Sequence, residues 1–216
     1  GFDISDGSVK FIELIDDSKG FRVGAYGKKE FKFPVEEITN NTESVIETLS
    51  QIKKEFNIDM ASVSLPEEQA YFLRLKLPKM MKKEIRQSIE LQLEEHIPYS
   101  PNEVIFDYNI LNEGSTDNEH IDVSISVLTQ AVVNRYSNIF KSAGITPVAF
   151  EVEAESTARS LIPKDDDKTH MIVNVGKVNS VLSIVSGKNV WFSYTLKLGG
   201  EFFSNTIARC LSVSQD

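Results

Sequence analysis

Residues 1–14 read GFDISDGSVKFIEL, and the reading of the fold turns on this stretch. Phe2 and Ile4 alternate with Asp3 and Ser5, as the end of a strand does, and Asp6-Gly7 is a tight-turn dipeptide. Val9, Phe11, Ile12 and Leu14 then open a second strand. The tip gathers Asp3, Ser5, Asp6, Gly7, Ser8 and Lys10. Small hydroxyls and a glycine let backbone N–H groups approach an anion, Lys10 adds positive charge, and Asp3 is placed to hold a metal-bound water. Taken singly, an Asp-Gly hairpin need only turn the chain around.

A second copy changes that reading. Residues 173–187, VNVGKVNSVLSIVSG, repeat the layout: Asn174 stands for Asp3, Gly176 for Ser5, and Ser180-Val181 for Ser8-Val9, with one extra residue in the turn. Two such hairpins far apart in sequence predict two similar half-domains, each offering a hairpin to one ligand. Together they resemble the phosphate hairpins of the actin-like ATPases, whose shape is D-x-G-x-x-S/T.

Composition narrows the classes. The chain has 216 residues, 41% apolar and 25% charged, as ordinary soluble proteins have, and is long enough for a sizeable core. A formal net charge of −9 without a Lys/Arg block argues against nucleic acid as a partner. The single cysteine, Cys210, excludes an internal disulfide and fits a reducing compartment, and no CxxC offers a zinc site. His96, His120 and His170 stand apart, without ligand spacing. No apolar run approaches the ~18 residues of a membrane span. Opening at Gly1 inside a motif, the chain is expected to lack residues upstream.

Along the chain, residues 21–33 read as one or two strands. Asn41/Thr42 are expected to cap a helix striped by Ile46, Leu49, Ile52 and Phe56. Residues 58–65 form a short strand closed by Pro66. Leu73, Leu75 and Leu77 then alternate with Arg74 and Lys76, and residues 82–96 are a helix with Ile85, Ile89 and Leu93 on one face. Two alternating strands follow, and Thr129 caps a helix carrying Val132, Tyr136, Ile139 and Phe140. This β-α-β-β-α string holds no catalytic cluster. The charged loop 164–168 reads as a hinge, 170–175 as a buried strand, and 189–196 as another. Leu198-Gly199-Gly200-Glu201 opens a helix with Phe203, Ile207 and Leu211 on one face, its N–H groups expected to be available to an anion.

Two segments narrow the resemblance to one family. LPEEQAYFLRLKLPKMMKKEIRQSIELQLEEHIPYSPNEVIFDYNIL (65–111), with its Glu94-Glu95-His96-Ile97-Pro98 exit, and FKSAGITPVAFEVEAESTARSL (140–161) resemble the PilM family of type IV pilus assembly proteins. Its relatives are FtsA and the cytoplasmic domain of type II secretion L proteins. The resemblance implies an actin-like ATPase (ribonuclease H-like) α/β fold: a first half-domain at 1–66 and 148–163, a small α+β domain inserted at 67–147, and the start of a second half-domain at 164–216. It also implies that full-length relatives continue with a fourth subdomain and the adenine-binding segment, so ATP is expected to bind this chain poorly.

The expected nucleotide site takes Asp3, Ser5, Asp6, Gly7, Ser8 and Lys10 from one half and Asn174, Gly176, Asn179, Ser180, Gly199 and Gly200 from the other, with ATP and Mg²⁺ as cofactors and Asp3 on the metal. A phosphotransferase wants a carboxylate at the second hairpin; Asn174 cannot carry that charge. Glu151 and Glu153 serve as well as helix-start charges as they would serve water. No residue is therefore assigned as catalytic, and hydrolysis is expected to be weak or absent, with nucleotide acting as a clamp.

Two function classes remain. One is a cytoplasmic assembly scaffold at the inner face of the membrane. The resemblance implies that it takes the N-terminal cytoplasmic peptide of a PilN-like protein in a groove between the small inserted domain and the first half-domain, and the sequence of 90–95 is expected to rim that groove with Glu90, Glu94 and Glu95. The alternatives are an FtsA-type division protein and an active ATPase or kinase of the superfamily. Self-association is left open.

Overall fold

The computed structural model describes all residues except Asp6, Lys19, Lys32, Pro34, 112–118, Lys188 and 215–216, together with the side chains of Val35 and Glu36. In chain order the elements are β1 (Phe2–Ser5), β2 (Ser8–Asp17), β3 (Gly20–Glu30), α1 (Thr42–Phe56), β4 (Met60–Leu65), β5 (Ala70–Pro78), α2 (Lys82–His96), β6 (Val104–Ile110), β7 (His120–Thr129), α3 (Gln130–Ser142), β8 (Thr146–Val152), α4 (Glu153–Leu161), β9 (Thr169–Val175), β10 (Ser180–Ser186), β11 (Asn189–Leu196) and α5 (Gly200–Leu211). The chain divides into two compact units, one of residues Gly1–Pro66 and Val132–Glu153, the other of Glu67–Ala131 and Ala154–Asp216.

The first unit is built on a sheet of order β3-β2-β1-β4-β8. Its first three strands form an antiparallel meander, and β4 and β8 add to it in parallel. Alternation in β1 turns Phe2 and Ile4 inward, and they are buried, as are Val9 and Phe11 of β2 and Val45, Leu49 and Ile52 of α1. Phe140 of α3 packs edge-on to Phe2 at 5.5 Å, so this helix, last in the β-α-β-β-α string, contributes to the first unit. The start of α1 differs from expectation. Asn41 Nδ2 and Thr42 Oγ1 donate to the carbonyls of Glu37 and Ile38, and Asn41 makes no side-chain cap. The preceding 3-10 turn, Val35–Thr39, leaves those carbonyls within reach and takes the polar side chains for itself.

The second unit holds two sheets, β5-β7-β6 and β11-β10-β9. Leu75, Leu77, Val104, Phe106, Val123, Ile125 and Val127 line one face of the small sheet, and α2 closes it with Ile85, Ile89 and Leu93. Burying such a side chain contributes about 1.5–3 kcal/mol, so this face suffices to hold α2 in place. Glu84 reaches back to the Met81 N–H at 3.1 Å to start the helix. A second cluster joins Ala154 and Ala158 of α4 with Val185 and Val190. The two sheets are joined where Ser124 Oγ donates to the Val190 carbonyl (2.8 Å) and Arg74 lies 4.3 Å over the Trp191 ring.

One sequence expectation fails in the β11-β10-β9 sheet. β9 is not buried: Met171, Val173 and Val175 are 66%, 54% and 57% exposed, because among the described residues β9 pairs only with β10 and one face is uncovered. Phe203, Ile207 and Leu211, which share one face of α5, are exposed as well. Apolar sequence sets the preference for burial; whether a partner surface is at hand is a separate matter.

Candidate functional site

In the first hairpin the register pairs Ser5 with Ser8, Ile4 with Val9 and Asp3 with Lys10. The register leaves two residues, 6 and 7, between the paired strands; Gly7 takes φ +70°, the left-handed region that favours glycine, while Asp6 lies outside the described residues. Lys10 Nζ donates to Asp3 Oδ2 (2.9 Å) and to Ser5 Oγ (3.0 Å), and Ser5 Oγ donates to the same Asp3 oxygen (2.8 Å). Ser8 spends its hydroxyl on the Ser5 carbonyl. Ser5 and Ser8 are buried, so among the described residues of the hairpin Asp3 and Lys10 present its charged chemistry to solvent. The other Asp3 oxygen, Oδ1, is buried and accepts no hydrogen bond among the described residues. An orphaned carboxylate oxygen fits the water shell of a Mg²⁺ ion, which keeps several waters and takes one or two carboxylates. Among the described residues no group of three metal-ligating side chains exists, so an ion here would be held largely through water.

The second hairpin is built differently. Ser180 faces Val175 and Asn174 faces Val181, and the four residues 176–179 form the turn, closed by the Gly176 N–H on the Asn179 carbonyl at 2.9 Å. The extra turn residue shifts the register by one, and Val181 stands across from Asn174 where Lys10 stands across from Asp3. Asn179 Nδ2 donates to Glu68 Oε1 at 2.9 Å, and Ser180 Oγ donates to the Leu198 carbonyl.

The amides at the start of α5 are not available to an anion, contrary to expectation. Gly200 N–H and Glu201 N–H donate to the carbonyls of Gly176 and Lys177, both at 2.9 Å, so the hairpin turn itself caps the helix. Gly199 makes this possible: a Cβ there would lie 2.4 Å from the Lys177 carbonyl oxygen. The ion pair of Lys177 with Glu201 (3.4 Å) runs across the same junction.

On α2, Glu90 is half-buried and pairs with Arg86 at 3.6 Å, whereas Glu94 and Glu95 are exposed. Leu91, one turn before them on the same face, is 76% exposed. Beside it a cleft of about 330 Å³ is lined by Glu94, Ile97, Pro98, Tyr99 and Ser100. The E-x-x-I-P exit thus presents an acid next to an apolar floor.

One carboxyl escaped the sequence reading. Glu67, in the 3-10 turn Glu67–Gln69, is only 6% exposed and accepts from the Ala154 N–H at 3.3 Å. Burial raises its pKa to about 7, against the lowering effect of hydrogen bonds from Ser193 and Ala154. A Glu-Glu pair after the strand-ending Pro66 reads as solvated surface, and nothing local marks it otherwise.

No helix of the described residues is long and apolar enough to cross a membrane. The fold is the actin-like ATPase fold. Among solved structures, a PilM-PilN type IV pilus biogenesis complex superposes at TM-score 0.80 and 19% identity, covering 100% of this chain and 66% of that one. The cytoplasmic domain of EpsL, an inner membrane component of the type II secretion system of Vibrio cholerae, gives 0.60 and 13%, over 96% and 73%. The ethanolamine utilization protein EutJ of Carboxydothermus hydrogenoformans gives 0.56 and 12%, over 100% and 57%. The sequence model of the family described as type IV pilus assembly protein PilM matches residues 1–216, and the chain belongs to that family.

Proposed function

We propose that this chain is a docking component of type IV pilus assembly. It takes the N-terminal cytoplasmic segment of a PilN-like inner-membrane protein and is held by it at the inner face of the membrane. The observation that carries the reading is the family match over all 216 residues. The solved structure that superposes at TM-score 0.80 is a PilM-PilN complex, which supports PilN chemistry for the partner. The exit of α2 supplies a place for it on the inserted small domain, residues 67–147. Exposed Glu94 and Glu95 suit basic flanks, and Leu91 and the cleft floor of Ile97, Pro98 and Tyr99 suit a few apolar anchors. The small sheet is closed by its own helix, so this surface needs no further packing to be stable.

Nucleotide is a secondary ligand in this reading. Asp3 and Lys10 of the first hairpin would meet phosphate and hydrated Mg²⁺, which supplies charge neutralisation. The second hairpin has Asn174 where a phosphotransferase wants a carboxylate. Turnover is accordingly expected below the ordinary enzyme range of ~1–100 s⁻¹.

The test is a titration of the chain with the cytoplasmic N-terminal peptide of the PilN-type protein encoded beside it. Reversing Glu90, Glu94 and Glu95 to Lys is expected to abolish binding. Undiminished affinity in that triple variant moves the site elsewhere, and no binding by the unaltered chain refutes the docking role.

A further inference from the structure

The turn Glu67–Gln69 stands at a junction of the second unit, and its two carboxylates reach in different directions. Glu67 accepts from the first turn of α4, through the Ala154 N–H, and from the Ser193 hydroxyl of β11. Ser193 Oγ in turn lies 3.2 Å from Ser183 Oγ of β10, so a polar chain runs from α4 through Glu67 into the sheet. Glu68, the next residue, holds Asn179 of the β9–β10 turn. The strand of the small sheet, β5, begins at Ala70 immediately after.

We propose that Glu67 is a proton-operated latch: neutral, it fixes this turn onto α4 and β11; charged, it loosens the turn and with it the Glu68 clasp on the second hairpin. The device stands on geometry. A carboxyl with 6% exposure bridges three segments and is covalently next to the residue that grips a fourth. A buried anion costs free energy unless it is paired with opposite charge, and the charges acting on Glu67 are both negative, Glu68 on its own turn and Glu155 on α4. From β11 it faces the Ser193 hydroxyl, which does not titrate at these pH values. The N–H at the start of α4 and that hydroxyl favour the anion, but burial outweighs them and holds the pKa near 7 against an ordinary 4.5. Because the folded value is raised, the stabilisation is complete below about 4.5 and is lost as pH rises through about 7. The latch is therefore closed on the acid side and opens across neutrality. It does not depend on what the second hairpin binds.

Hydrogen exchange on the whole chain, unaltered and with Glu67→Gln, measured at the same pH, tests it. At pH 8 the amides of 154–157 and 176–180 are expected to exchange on the order of a hundredfold faster in the unaltered chain, since more than two units separate the folded value of about 7 from the ordinary 4.5 that the carboxyl regains on opening. At pH 4, below the ordinary value of the carboxyl, the two chains are expected to exchange alike. A ratio that is the same at both pH values, or a change confined to 154–157, overturns the latch. Should Glu67→Gln not fold, the carboxyl of Glu67 is titrated by NMR in the unaltered chain. A midpoint near 7 supports the proposal, and one near the ordinary ~4.3 of a glutamate refutes it.

Discussion

The meander β1-β2-β3 and the meander β9-β10-β11 share one antiparallel design and one small-residue turn, yet the two end up in opposite situations. β1 is paired on both sides, with β2 antiparallel and β4 parallel, and its Phe2 and Ile4 are 4% and 0% exposed. β9 pairs with β10 alone among the described residues, and Val173 and Val175 are more than half exposed. The turns diverge as well. The first is two residues long and sets Asp3 against Lys10; the second is four long, sets Asn174 against Val181, and lends its carbonyls to α5. One motif thus serves two ends. Where the register brings a carboxylate and an amine together the hairpin presents charge, and where it slips by one residue the hairpin becomes a helix cap.

The widest gap between the two meanders should appear in stability. Ile4→Ala empties a fully buried site in β1 and is expected to cost about 2–5 kcal/mol, while Val173→Ala in β9 should stay within about 0.5 kcal/mol, as surface changes do. Urea unfolding of both variants reads this directly, and equal costs would mean that β9 is covered in solution.

Gly199→Ala probes the helix-capping role of the second turn. A methyl 2.4 Å from the Lys177 carbonyl oxygen forces the backbone apart, with an expected loss of about 1–3 kcal/mol. Unchanged stability would show that the turn does not hold α5 in this way.

For ligand chemistry the order reverses. Calorimetry with Mg²⁺ and ATP should find Asp3→Ala weakened at least about tenfold, or 1.4 kcal/mol, and Asn174→Ala changed far less. An affinity indifferent to Asp3 would remove the first hairpin from nucleotide binding while leaving the fold untouched.

The smallest effect belongs to the Asp3–Lys10 pair itself. With side chains 27% and 45% exposed it is open to solvent screening, so Lys10→Met is expected to cost below about 1 kcal/mol, and less still in high salt. A cost of several kcal/mol would mark the pair as a structural strut.

Much of this is legible in the chain alone. The limits of α2 at Lys82–His96 follow from Ile85, Ile89 and Leu93 at helical spacing and from Pro98 beyond them, and these three side chains are buried as the spacing requires. The two hairpins are legible because turn chemistry is local: Asp-Gly and Gly-x-x-Asn carry their geometry within a few residues. The order of elements likewise follows from periodicity, which needs no knowledge of what lies opposite.

Tertiary structure decided the rest, for one reason: these properties belong to pairs of distant segments. Phe140 is an apolar helix residue by sequence, but only packing sends it to Phe2 in the first unit. Residues 170–175 have the composition of a buried strand, and their exposure is set by the uncovered face and single paired edge of β9. The amides at Gly200 and Glu201 open a helix and so look available in the sequence, but the carbonyls of Gly176 and Lys177 reach them from the hairpin. Glu67 shows the limit most sharply. Its carboxyl titrates near neutrality because Ala154 and Ser193, 87 and 126 positions further along, close over it, and desolvation by distant residues leaves no trace in local sequence.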